Sequence, residues 1–189
     1  MRLGFFGLRL LAGCLLASCS LPLASALGRE QTYLRWLNEE VRWIITQPER
    51  ADFLKLATDQ QRDDFVVAFW ARRDPPGAPE NQFKHEHYRR LAFANRHFAS
   101  NTPGWRSDRG RIYIVYGPPD QIEHLSALED DKAWLANDGM REAFPSEIWR
   151  YDHVRNVVEV KFLFVDHCKC GDYRLKSVPS QINLLPQAD

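Results

Sequence analysis

The hydrophobic pattern of this chain changes period once, near residues 103 and 104, and that change limits the folds available to it. Before this point, apolar residues recur every three or four positions, as on one face of a helix. After it, apolar and polar residues alternate, as in a half-buried strand. Helices followed by strands predict an α+β fold in which an N-terminal helical layer packs on a small antiparallel sheet.

The helical half carries recognisable start signals. Thr46 and Glu49 have the spacing of a capping box, and so do Thr58 and Gln61, so a new helix is predicted to begin at each threonine. The predicted helices cover residues 30–46, 48–57, 59–73 and 80–100. The last of these has an apolar stripe whose members step by four, four, three and four. The stripe consists of Phe83, His87, Leu91, Ala94 and Phe98.

The second half is predicted to supply the strands. They are expected over residues 111–116, 147–151, 157–166 and 172–178. In the third of these, Glu159 and Lys161 should point to solvent. The side chains expected to face the helices are Val158, Val160, Phe162 and Phe164. The segment 121–145 gives no clear pattern, apart from a candidate short helix over 130–137. With no repeat and no linker, residues 31–185 are predicted to form a single domain.

The first 26 residues have the features of a cleaved signal peptide, with a basic start and a short apolar stretch. Two cleavage sites fit. The string LASC, ending at Cys19, resembles a bacterial lipobox, in which the cysteine is lipidated. The string ASA allows cleavage after Ala26 instead. We favour Cys19, and both routes predict export to the bacterial cell envelope, either as a periplasm-facing lipoprotein or as a periplasmic or secreted protein.

Charge argues against a nucleic-acid partner. The chain has 25 basic and 25 acidic residues, and loss of Arg2 and Arg9 with the leader leaves 23 − 25 = −2. Such a balance provides no broad positive field to attract phosphates. No phosphate-binding or dinucleotide-binding motif is present, and no cofactor is expected.

Residues 103–120, PGWRSDRGRIYIVYGPPD, are interpreted as a strand whose two ends are fixed by turns. Gly104 is expected to supply the positive φ of a turn, and Gly110 to admit the chain into the strand. Trp105 is expected to cover the sheet end. Ser107 and Asp108 can accept backbone N–H groups, and Asp120 can cap the segment after the Gly-Pro-Pro break. Asp108 should also be ion-paired, since Arg106, Arg109 and Arg111 are close in sequence.

The same stretch permits a catalytic alternative. Asp108 and Asp120 could serve an exported hydrolase, or could join Asp74 in binding a divalent cation through carboxylate oxygens. Against this, each aspartate lies beside proline, glycine or arginine at a predicted element boundary, where aspartate is common without any ligand.

Histidine and cysteine give weaker candidates for a metal site. His85 and His87 lie on different helix faces, so His87 is expected to be a hydrogen-bonded core residue and His85 a solvated one. His167, Cys168 and Cys170 could bind a soft metal or form a reactive hairpin tip. The favoured interpretation is a turn between two strands, because a Cys-x-Cys spacing is neither a zinc-ribbon nor a redox motif.

Several separated strings together resemble the GWxTD-domain family of bacterial exported proteins. They occur in the order WLNEEVRWIIT, FWARRDP, EHYRRLAFAN, GWRSD, DRGRIYIVYGPPDQIE, EIWRY and GDYRL, and cover roughly residues 33–175. Ser107 stands where the family name has threonine, and the two late cysteines are not a family feature. The matching motif residues are Gly104, Trp105, Ser107, Asp108, Arg109, Gly110, Gly117, Pro118, Pro119 and Asp120. The resemblance implies export and a shared fold, and it implies no activity.

These observations lead to a functional hypothesis. The chain is expected to be a non-enzymatic module that binds another envelope protein and is anchored to the membrane through Cys19 if that residue is lipidated. Aromatic anchors for the core or for a partner are Trp36, Trp43, Trp70, Trp105 and Trp149. The alternatives are the hydrolase or cation-dependent enzyme at Asp108 and Asp120, and a thiol or metal site at Cys168 and Cys170.

Overall fold

The computed structural model describes residues 21–125, 144–154 and 157–177. Its helical elements are α1 (Leu21–Arg35), a π-helical turn (Trp36–Glu40), α2 (Gln47–Lys55), α3 (Asp59–Ala71), α4 (Gln82–His97), a 3₁₀ turn (Gly104–Arg106) and α5 (Asp108–Tyr116). The strands are β1 (Gln121–Leu125), β2 (Ser146–Val154), β3 (Val157–Val165) and β4 (Arg174–Ser177). The strands form one antiparallel sheet in sequence order. The predicted α+β architecture is confirmed.

Both predicted capping boxes are present. At the start of α2, Thr46 Oγ1 accepts from Glu49 N (3.4 Å), and the Glu49 carboxylate accepts from Thr46 N (3.0 Å). Thr58 and Gln61 make the same exchange at the start of α3 (3.3 and 3.1 Å). These bonds satisfy backbone N–H groups that have no partner within the helix, which is why the two helices begin at these threonines.

Glu49 also fastens the start of α2 to the end of α3. Its carboxylate pairs with Arg73 (2.6 Å), and Arg73 donates further to the Ile44 carbonyl oxygen (3.1 Å). Burial disfavours the charged carboxylate, but the hydrogen bonds from Arg73 and from the Thr46 N–H outweigh burial and lower the pKa of Glu49 to about 2. The carboxylate therefore stays ionised and holds three segments together.

The helices enclose one of two apolar clusters, which we call the helical cluster. Its buried members are Tyr33, Trp36, Leu37, Val41, Ile45, Phe53, Phe69 and Trp70. The second, the sheet cluster, lies between the sheet and helices α4 and α5. Its buried members are Ala94, Phe98, Ile112, Tyr113, Ile114, Trp149, Tyr151, Val154, Val160, Phe162 and Phe164. Helix α4 joins the two clusters through the predicted stripe, with Phe83 packing on the first and Leu91 on the second.

The predicted strand over 111–116 is wrong, because these residues belong to helix α5. Ser107 caps the helix N-terminus, and Gly117 ends it with a φ of 88°, a conformation that favours glycine. The alternating pattern led to the wrong prediction because the helix is enclosed on several sides. The consecutive residues Ile112, Tyr113 and Ile114 are therefore all buried. A helix buried all round loses the one-sided periodicity that identifies a surface helix.

The sheet differs from prediction in two places. Strand β1 arises from the segment that showed no clear pattern, while the candidate helix over 130–137 lies outside the described residues. In β3, Val160, Phe162 and Phe164 are buried as predicted, but Val158 is 63% exposed. Glu159 has a φ of 55°, which breaks the alternation between Val158 and Val160. The three later strands match their predicted positions to within a few residues.

The predicted leader is largely outside the described part of the chain. Residues 1–20, which include Cys19, are not described, and α1 begins at Leu21 within the predicted leader. Among the described residues, no helix combines the length and the apolar character needed to cross a membrane.

His87 makes the stability of the helical cluster depend on pH. Its ring is buried, and Nε2–H donates to the Glu40 carbonyl oxygen (2.7 Å). Burial lowers its pKa from 6.5 to about 4, despite the opposing Glu40 bond and with help from the Arg90 and Arg73 charges. The unfolded chain therefore binds a proton at a higher pH than the folded protein does. The stabilisation that comes from the neutral, buried His87 is fully present above pH 6.5, and it is lost as the pH falls to about 4.

We expect the free energy of unfolding to fall by about 3 kcal/mol across this pH window because of His87. Urea unfolding of His87→Gln should show a much smaller loss over the same window, since glutamine does not titrate. His85→Gln is the matched control because His85 is exposed on the same helix, and it should keep the full dependence. Equal pH dependence in His87→Gln and the unmodified protein would contradict this assignment.

Candidate functional site

The motif glycines serve close packing at the point where the chain passes helix α4. A Cβ atom on Gly104 would overlap the carbonyl oxygen of Ala94, and one on Gly110 would overlap the carbonyl oxygen of Gly104. The positive φ predicted for Gly104 is wrong: among the described glycines, only Gly77, Gly117 and Gly171 have one. Gly104 is required because two backbones touch there, not because of a turn conformation.

Ser107 starts helix α5 and folds the motif back on itself. Its side chain is buried, and its Oγ accepts from Gly110 N (3.0 Å) while donating to the Gly104 carbonyl oxygen (2.9 Å). The hydroxyl thus satisfies one free N–H of the first helical turn and one carbonyl of the preceding 3₁₀ turn. Ser107 therefore accepts a local backbone N–H group as predicted, although it begins a helix rather than a strand. Asp108 accepts from the distant Leu175 N–H instead of closing the predicted local turn.

The backbone of Trp105 links the motif to two other elements. Its N–H donates to Asn95 Oδ1 on α4 (2.9 Å), and its carbonyl oxygen accepts from Trp43 Nε1 (2.7 Å). The Trp105 ring is half-buried against the sheet cluster. Both the turn around Trp43 and helix α4 are therefore held to the motif by hydrogen bonds.

The aspartates considered for catalysis bind backbone amides in three different places. Asp108 accepts from Leu175 N of β4 (2.9 Å), and Asp120 accepts from Asp152 N at the end of β2 (2.7 Å). Asp74 accepts from Asn81 N and Phe83 N (both 2.8 Å) at the start of α4. Within the described ranges, these three carboxylates do not come together as a group of possible metal ligands. Asp108 forms no ion pair there with a neighbouring arginine, so that prediction is wrong.

Arg109 instead joins three elements from the first turn of α5. It pairs with Glu147 of β2 (3.1 Å), with both side chains almost buried, and donates to the Gly171 carbonyl oxygen (3.1 Å). Its guanidinium also lies over the ring of Tyr173, 4.1 Å from the centroid. Glu147 accepts a second bond from Trp149 Nε1 (2.9 Å), so the buried carboxylate is well satisfied.

An open cleft of about 380 Å³ lies above this ion pair, between α4, α5 and the β1–β2 side of the sheet. Its walls are formed by Phe93, His97, Phe98, Arg109, Tyr113, Pro118, Pro119, Ile122, His124, Glu147 and Trp149. The ring of Phe93 stacks between His97 (4.1 Å) and Tyr113 (4.5 Å). The lining is mainly aromatic and aliphatic, and its polar groups include the Arg109–Glu147 pair and two histidines.

The sequence pointed to five of the residues that line the cleft but not to the cleft itself, since Phe98 belongs to the predicted stripe and Trp149 to the predicted aromatic anchors. Arg109, Pro118 and Pro119 belong to the predicted motif, whereas Phe93 and Ile122 were not singled out. Gly117, which lies between Arg109 and Pro118 in the sequence, ends α5. Its carbonyl oxygen accepts from the Tyr151 hydroxyl (3.0 Å). The motif thus shapes one edge of the cleft through the turn that comes after α5.

The predicted turn between the last two strands contains a disulfide between Cys168 and Cys170. The turn is not extended, since Lys169 has a φ of 55°, which brings the two Cα atoms to 5.2 Å. Asp166, Cys168 and Cys170 are the described residues whose ligand atoms lie close enough to hold a metal, but the disulfide uses both sulfur atoms. His167 packs against the ring of Phe144 instead.

The two histidines of α4 lie where they were predicted, since His85 is exposed and His87 is buried.

Comparison with known proteins identifies the family. The family model for the GWxTD domain matches residues 30–143. The chain belongs to the GWxTD domain family. No curated protein and no solved structure matches it. The family match covers the end of α1, the later helices, the motif and β1, whereas strands β2 to β4 come after it in the chain.

Replacing Gly104 with alanine should destabilise this GWxTD domain by about 3 kcal/mol or more, because the added methyl group meets backbone atoms that cannot rotate away. Gly28→Ala is the matched control. Gly28 lies in helix α1 with open space around it, so alanine should be neutral or stabilise the helix by up to about 1 kcal/mol. Chemical unfolding measures both, and a Gly104→Ala protein as stable as the control would contradict the close packing.

Proposed function

We propose that this protein is a non-enzymatic interaction module, exported to the bacterial cell envelope, that binds another envelope protein through the cleft between α4, α5 and β1. The observation that carries the proposal is the composition of that cleft. It presents exposed apolar rings and side chains, while the motif aspartates are engaged with backbone amides elsewhere.

The apolar side chains of the cleft support a binding role. Phe93 is 37% exposed and Ile122 is 42% exposed, so a partner can contact both. Aromatic anchors around a few fixed polar groups are typical of recognition sites, because burying the rings supplies affinity and the polar groups fix orientation. Here Arg109 and Glu147 supply the fixed polar groups, held by their mutual ion pair.

The hydrolase alternative has less support. A general base must reach a substrate within hydrogen-bonding distance, and neither Asp108 nor Asp120 lines the cleft. Each already accepts a short bond from a strand amide. Loss of either carboxylate is therefore expected to loosen a strand end rather than to remove a reactive group.

The envelope location rests on the leader sequence. Lipidation of Cys19 would tether the domain to a membrane and would concentrate it near envelope partners. Mass spectrometry of the mature N-terminus distinguishes a lipidated Cys19 from a free Leu27, and an uncleaved Met1 would overturn the export part of the proposal.

Site-specific photo-crosslinking in intact cells tests the binding role. A photoreactive residue at Ile122 should give one discrete protein adduct, whereas the same residue at Leu54, which is 60% exposed on α2, should not give that adduct. Adding Phe93→Ala should reduce the Ile122 adduct about tenfold, because truncating a central aromatic anchor commonly costs more than 1 kcal/mol of binding. Val67→Ala, at a 70% exposed position on α3, is the matched control.

Three outcomes would contradict the proposal. No adduct at Ile122, or the same adducts at Ile122 and Leu54, would show that the cleft is not a specific binding surface. Hydrolytic activity of the purified protein that is lost in both Asp108→Asn and Asp120→Asn, with the fold intact, would favour the enzyme instead.

A further inference from the structure

The connection between β3 and β4 carries a disulfide that is open to solvent. Cys168 and Cys170 are both exposed, and they are bonded to each other across a single residue, Lys169. We call residues 166–171 the disulfide loop. The proposed partner binding in the cleft does not use the two sulfur atoms, so their chemistry can be considered separately from the proposed function.

The disulfide adds little to the stability of the fold. A cross-link stabilises mainly by limiting the unfolded chain, and this effect grows with the number of residues enclosed. The Cys168–Cys170 bond encloses a single residue, so it restricts the unfolded chain very little. A bond of this kind, exposed at a loop tip, is poorly suited to serve as a structural cross-link.

Other interactions fix the shape of the disulfide loop without the bond. Asp166 is 3% exposed, and its carboxylate accepts from Cys170 N (3.2 Å) and Gly171 N (2.7 Å). The Gly171 carbonyl oxygen accepts from Arg109 (3.1 Å), which ties the loop to α5. Because these bonds do not involve sulfur, the two thiols should stay adjacent after reduction and should readily form the disulfide again.

We propose that the disulfide loop is a thiol–disulfide exchange site that accepts two electrons from a dithiol of another protein. The exposed sulfur atoms allow access, and the fixed loop makes the exchange reversible. Asp166 Oδ1 lies 3.1 Å from Cys168 Sγ, so an incoming thiolate is repelled from that sulfur and attacks Cys170 Sγ.

The exchange proceeds in two balanced steps. The attack forms a bond between the partner's sulfur and Cys170 Sγ and breaks the bond between Cys170 and Cys168. Cys168 Sγ leaves as a thiolate with the electron pair of the broken bond and takes a proton from solvent water. The resulting thiol donates a hydrogen bond to Asp166 Oδ1. The partner's second thiolate then attacks the partner's own sulfur in the mixed disulfide and releases Cys170. The partner dithiol is oxidised by two electrons, and the disulfide loop is reduced by two.

Equilibration of the full chain in glutathione redox buffers tests this site. Free thiols are alkylated, and peptide mapping separates Cys168 and Cys170 from the two N-terminal cysteines. The pair should be partly reduced in millimolar glutathione and should reoxidise fully when the buffer is reversed. A pair that stays oxidised until the protein is denatured, or that cannot reoxidise, would overturn the proposal.

Variants separate exchange from a structural role. In the reduced loop the Cys168 thiol can donate to Asp166 Oδ1, and the disulfide has no such donor. Asp166→Asn replaces this charged acceptor with a neutral one, so the ratio of reduced to oxidised loop should fall roughly five- to tenfold at fixed buffer composition, and an unchanged ratio would contradict the role of Asp166. Asp172→Asn is the control, since Asp172 pairs with Arg174 outside the turn.

The double replacement Cys168→Ser and Cys170→Ser should leave the midpoint of unfolding nearly unchanged. Unfolding of that variant would show a structural bond and overturn the proposal.

Discussion

The hydroxyl of Ser107 makes the two hydrogen bonds on which the rest of the structure depends. It joins the carbonyl of Gly104 to the amide of Gly110, and so begins helix α5 directly after the 3₁₀ turn that touches α4. The position of this helix start fixes the direction of the α5 axis. Arg109 and Tyr113 reach the cleft only because the helix begins at this residue. The threonine in the family name would supply the same hydroxyl, so the motif encodes a helix start.

Helix α4 and Arg109 connect the separate parts of the molecule. The helix packs His87 against Trp70 of the helical cluster and contributes Ala94 and Phe98 to the sheet cluster, so the two apolar clusters share one helix. Arg109 contacts the cleft through Glu147 and the disulfide loop through Gly171. The disulfide loop therefore contacts a residue that also lines the cleft.

Local signals in the sequence predicted much of the fold. The capping boxes at Thr46 and Thr58 and the stripe on α4 depend on neighbouring residues, so they could be recognised without the structure. The start and stop signals of α5, Ser107 and Gly117, were also present, but the alternating apolar run between them outweighed them. The exposed Val158 depends on the backbone conformation of Glu159, which no hydrophobic period encodes. The cleft required side chains from α4, α5, β1 and β2 to meet, and such long-range contacts are not visible in one sequence.

Backbone NMR of the folded domain tests the central claim, that the GWxTD motif is a helix start packed on α4 and not an active-site loop. Cα chemical shifts of residues 108–116 should be helical, and the amide of Gly110 should exchange slowly because Ser107 accepts its hydrogen bond. Addition of divalent cations should leave the amides of Asp108 and Asp120 unmoved. Strand-type shifts over residues 111–116, or a saturable shift of both aspartates together, would contradict the account.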